Sequence, residues 1–155
     1  MQVRNFVLVV IASMATLLGA TPLSASSDAT SSYAGQQTRN IKAFSTQELT
    51  GYLEGKGMGL AKAAELIHYP GPRHVLDMAR QLSLSEQQIA QSQAIFNTMK
   101  ENAMALGKQL VRKEHELDQR FANGSIDPES LKVLTEEIVS LQAKVRYAHL
   151  NAHLQ

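Results

Sequence analysis

The chain has 155 residues, no cysteine and no tryptophan, and sets 15 lysines and arginines against 14 aspartates and glutamates. Without cysteine it forms no disulfide, no thiolate metal site and no cysteine nucleophile. The near balance of charge argues against nucleic acid as a partner, because neutralising phosphates needs a basic excess.

Residues 1–26 read as a cleaved signal peptide. Arg4 supplies the positive start, residues 6–18 an apolar run, and Gly19, Ala20, Ser24, Ala25 and Ser26 the small residues of a cleavage site. The run is shorter than the roughly 20 apolar residues of a spanning helix. Loss of Arg4 with this leader leaves 14 basic residues against 14 acidic ones, a formally neutral chain. Residues 27–43, rich in Ser, Thr, Gln and Gly, read as a flexible arm. Residues 44–155 carry the helical domain.

Ser45 starts a short helix, with Glu48 in capping-box spacing and Leu49, Tyr52 and Leu53 on its buried face. Gly55, Gly57 and Gly59 end it. A second short stretch covers residues 60–67 and stops at Pro70-Gly71-Pro72, since proline lacks the amide and restricts its predecessor. A third, over residues 73–82, buries Val75, Met78 and Leu82.

Ser85 is an N-cap with Gln88 at the third helical position. From there Ile89, Ser92, Phe96, Met99, Ala103, Leu106, Leu110, Lys113 and Leu117 recur in threes and fours. That spacing predicts one long helix over residues 85–122 with a seam along one face, continuing to Phe121. Asn123-Gly124-Ser125 breaks it. Asp127, Pro128 and Glu129 then supply a cap, a first-position proline and an acid for the positive helix end. The second seam is Leu131, Leu134, Ile138, Leu141, Val145 and Ala148. Two such helices joined by a short turn pack antiparallel. The fold class is therefore all-α: a long helical hairpin with short N-terminal helices. Its core is small for a free-standing domain, and Ile95, Met104, Val111, Val139, Tyr147, Leu150 and Leu154 fall off the seam. A second copy of the chain, as a homodimer, or a bound client would cover them.

Chemistry-bearing patterns are few. Gly55-Lys56-Gly57-Met58-Gly59 lacks the preceding strand and following Ser or Thr of a phosphate loop and reads as a hinge. Asn123-Gly124-Ser125 fits both a glycosylation acceptor and a turn. Gly107, mid-helix, fits close helix approach, a bend or a tolerated surface position. His149 and His153, four residues apart, share a helix face and can share a divalent cation, with Glu101 or Met99 near enough across the hairpin to join. The bland alternative is two solvated histidines at a frayed end. No Ser-His-Asp order, carboxylate pair or HExxH pattern occurs, and the chain reads as a non-enzyme. Met104, Val111, Val139, Tyr147, Leu150 and Leu154, interspersed with Lys108, Arg112, Lys144 and Arg146, form a candidate client-binding surface.

Leu84-Ser85-Glu86-Gln87-Gln88 matches the L-[TS]-x-x-Q signature at the start of a long helix. From about Val75 to its end the chain thus resembles the Spy/CpxP family. Leu134-Thr135-Glu136-Glu137-Ile138 resembles the second copy of the motif, with Ile138 in place of the final glutamine. The stretch from Gly57 to His74 is similar to one found in alphaproteobacterial members. The resemblance implies a periplasmic, ATP-independent chaperone or envelope-stress modulator, forming a dimeric cradle that binds unfolded or misfolded envelope proteins. It implies no required cofactor and no stable membrane insertion. Members related to CnrX and ZraP bind metals through histidines on similar helices. That branch implies Zn, Ni, Co or Cu at His149 and His153. For Leu84, Ser85, Gln88, Leu134 and Thr135 the expected role is structural, with Ser85 and Gln88 as a capping pair.

Overall fold

The computed structural model describes residues 32–155 and contains five α-helices over them: α1 Thr46–Glu54, α2 Lys62–Glu65, α3 Pro72–Asp77, α4 Glu86–Ala122 and α5 Pro128–Ala152. The leader expected over residues 1–26 lies outside the described residues. Among those described, no helix is long and apolar enough to cross a membrane.

The long helices begin where side chains replace missing backbone partners. Ser85 accepts from the Gln88 amide, and the Gln88 side chain accepts from the Ser85 amide at 2.9 Å. Asp127 accepts from the amides of Glu129 and Ser130, with Pro128 at the first helical position, where its lack of an N–H costs nothing. At about 1.5 Å per residue, α4 runs roughly 55 Å and α5 roughly 37 Å. They pack along each other, and α1 and α3 pack on α4.

The hairpin core contains Leu110, Leu134, Ile138, Leu141 and Val145, of which Leu110 has 0% of its surface exposed. Ile41 and Phe44 belong to the same core. The later part of the expected arm, residues 33–43, is thus held by turns against the hairpin. Ile41 supplies the apolar anchor, and the Lys42 amide donates to Asp118 at 2.8 Å. In α1, the Ser45–Glu48 capping box forms and Tyr52 packs beside Phe44, with ring centroids 5.0 Å apart.

Several sequence expectations are corrected. Leu53 is exposed at the end of α1. The second and third short helices are shorter than expected, over Lys62–Glu65 and Pro72–Asp77. The chain leaves α3 at Met78 and turns through Ser83 in the left-handed region, so Met78 and Leu82 point outward. Phe121 and Leu131, beside the turn that closes the hairpin, are exposed too. The second motif copy caps nothing. Thr135 lies inside α5 and donates to the carbonyls of Leu131 and Lys132, while Leu134 is core.

Candidate binding face and histidine pair

Residues 33–84 cover one side of the hairpin. The opposite side carries three connected grooves of about 390, 400 and 380 Å³, lined by α4, α5 and, in the last, Asp127. The first is the most apolar, with Ile95, Met99, Leu106, Tyr147, Ala148 and Ala152 on its walls. Beyond it, Lys113 bridges to Glu137 at 2.8 Å and to Glu116 at 3.2 Å, and Arg120 pairs with Glu116 at 3.0 Å. These partners hold Lys113 more firmly protonated than usual, Glu137 first and then Glu116. They hold the Glu116 carboxyl below its usual range, Arg120 first and then Lys113. Such exposed pairs add little stability, but they leave the neighbouring charges already matched.

The six residues expected to bind clients are not brought together. Val139 and Tyr147 on α5 and Leu154 just beyond its end have 61%, 67% and 74% of their surface exposed. Leu150 is half-buried. Val111 packs against the core. Met104 is half-buried under the α1 end, where a Cβ at Gly55 would come within 3.0 Å of its Cγ.

His149 is buried, with 4% of its surface exposed, and its Nε2 has no hydrogen-bond partner. Burial, and after it the neighbouring His153, pushes its pKa below the ordinary histidine value. His153 sits at the surface, its Nδ1 2.7 Å from the Tyr69 carbonyl oxygen. A carbonyl only accepts, so Nδ1 carries the proton, and a neutral His153 presents a bare Nε2. The ring lies so close to Gly71 that a Cβ there would approach its Cε1 to 2.7 Å. His153 thereby ties the end of α5 to the Pro70-Gly71-Pro72 turn. Among the described residues no three His, Asp or Glu side chains gather where a metal ion could be held, so Glu101 does not join the pair.

Gly107 and Glu114 acquire roles that seam spacing alone does not reveal. Both are buried on α4. Gly107 lies under the Tyr52 carbonyl, where a Cβ would collide with the oxygen. Of the three options for this glycine, close approach of another helix is the one observed. Glu114 is pushed up by burial and then by Asp118.

No family model, curated protein or solved structure matches the chain.

Proposed function

We propose that this protein is an ATP-independent periplasmic chaperone or envelope-stress modulator that holds unfolded client proteins on the uncovered face of its hairpin. The observation that carries this reading is the apolar groove between α4 and α5, bounded by exposed Tyr147 and by Lys144. Each exposed apolar side chain offers at most about 1.5–3 kcal/mol on full burial, enough to hold a client without trapping it. Met99 gives the groove an adaptable wall suited to varied partners. The signature residues Leu84, Ser85 and Gln88 support the same reading through the family they resemble. The test is aggregation of a denatured client, followed by light scattering without nucleotide. Stoichiometric protein should suppress scattering, and Tyr147→Ser should weaken the suppression at unchanged helicity. Unchanged scattering at both low and high salt would remove the reading.

A second reading, binding of Zn, Ni, Co or Cu, is favoured by the unpartnered Nε2 of His149 and the bare Nε2 of His153. The donor set suits these ions, but two imidazoles leave the remaining positions to water or a partner. Calorimetry separates the readings: heat lost in the His149→Ala/His153→Ala variant supports metal binding, and equal heats dismiss it.

A further inference from the structure

A separate cavity of about 630 Å³ lies on the covered side of the hairpin, walled by α4 and by the turns of residues 33–43. The α4 wall carries Glu114, Leu117, Asp118 and Phe121, whose spacing of i, i+3, i+4 and i+7 puts all four on one helix face. The opposite wall carries Arg39 and Lys42. Two acids and two bases thus line one cavity, and none of them forms an ion pair. Among the described residues the ion pairs all lie elsewhere. Local bonds keep the charges on their own walls. The Lys42 ammonium donates to the Arg39 carbonyl at 2.6 Å, and only the Lys42 amide reaches across to Asp118, at 2.8 Å.

Glu114 is the member that water does not account for. It has only 7% of its surface exposed, and nothing of opposite charge offsets its burial and the neighbouring Asp118. A carboxyl withdrawn from water is costly unless something satisfies it. Such a group, lining a cavity of the size that small-molecule sites have, marks a place for a ligand.

We propose that this cavity binds a small zwitterion with an apolar body, about the size of a dipeptide. Its ammonium sits against Glu114 and Asp118, and its carboxylate faces Arg39 and Lys42. Its apolar part lies on Leu117 and on Phe121, which is 57% exposed. Ligands of one charge fit less well. An amine alone meets two uncompensated cations, and an acid alone leaves Glu114 without a partner. A metal ion lacks donors, since among the described residues no three His, Asp or Glu side chains gather. The site is independent of client binding, because it lies across α4 from the apolar groove.

The test is calorimetry of the full chain at neutral pH with three probes: leucyl-leucine, its C-terminal amide and its N-acetyl form. Leucyl-leucine should bind at least about tenfold more tightly than either blocked form, since each block removes a charge-assisted contact. Glu114→Gln should weaken leucyl-leucine about tenfold and cancel its advantage over the N-acetyl form. Arg39→Gln should weaken it about threefold and reduce its advantage over the amide. Circular dichroism should show wild-type helicity in both variants, because neither residue packs in the apolar core. Loss of one preference in each variant separates a contact with the ligand from general damage to the fold. Equal affinity for the three probes, or no heat from any, would overturn the proposal. Tightest binding of the amide would assign the cavity to a plain cation and overturn it too. Unchanged selectivity in Glu114→Gln would show that the buried carboxyl does not face the ligand and would likewise overturn it.

Discussion

The backbone carbonyl of Tyr52 rests directly on Gly107, with no room for a methyl group between α1 and α4. Glycine is otherwise unfavourable at this mid-helix position by about 1 kcal/mol relative to alanine. Gly107→Ala would gain that helix propensity and lose the contact. The blocking atom belongs to the backbone and cannot swing aside as a long side chain would. The expected outcome is net destabilisation of about 1–3 kcal/mol, with α1 displaced, as overpacking commonly gives. Urea denaturation and hydrogen exchange of the Leu49–Leu53 amides would check it. A more stable variant with unchanged exchange would contradict the close approach.

The two copies of the signature should respond differently to alanine. Ser85 and Gln88 cap each other at the start of α4, so Ser85→Ala should cost about 1 kcal/mol. Thr135 only bonds back to carbonyls within its own helix. Thr135→Ala should be neutral or slightly stabilising, because alanine is the better helix former. Thermal unfolding of both variants gives the comparison, and equal losses would refute the assignment.

His149 should make the fold sensitive to acid. Its folded pKa lies below the ordinary 6.5, chiefly through burial and then through His153. The folded state therefore takes up this proton less readily than the unfolded chain. The stability that depends on neutral His149 is complete above about pH 6.5 and is lost as pH falls through the lowered folded value. Melting temperatures measured from about pH 7.5 to 5 should fall in the wild type and fall less in His149→Leu. Parallel curves for the two proteins would show that the buried imidazole is not responsible.

Glu114 should act in the opposite direction. Burial, and then Asp118, raises its folded pKa above the usual carboxylate value. The folded state holds this proton more readily than the unfolded chain, so stability is lost as pH rises from about 4.5 through the raised folded value. Glu114→Gln keeps the shape and removes the charge. It should stabilise the protein at neutral pH by about 0.5–2 kcal/mol and by less in acid. Denaturant titrations at two pH values would test this; destabilisation at neutral pH would mean that the carboxylate has a favourable partner.

The starts of the three principal helices were legible in the sequence because capping is local. Ser45 with Glu48, Ser85 with Gln88, and Asp127 with Pro128 each act within one turn, and all three form as spaced. The hairpin followed from two seams and a short Asn-Gly turn. The faces that the seams leave over were decided only in three dimensions. Residues 33–84 lie on one side of α4, and their packing explains why Gly107 and Glu114 are buried while Met78 and Leu82 are not. On α5, burial passes from Leu141 and Val145 to His149 and Ala152 rather than through Ala148. A straight helix has 3.6 residues per turn, and a seam read at 3.5 drifts off its face within a few turns. Sequence spacing thus placed two histidines on one face of a helix. Only the tertiary structure decided that His149 is buried without a partner for Nε2, while His153, four residues later, ties α5 to the Tyr69 carbonyl.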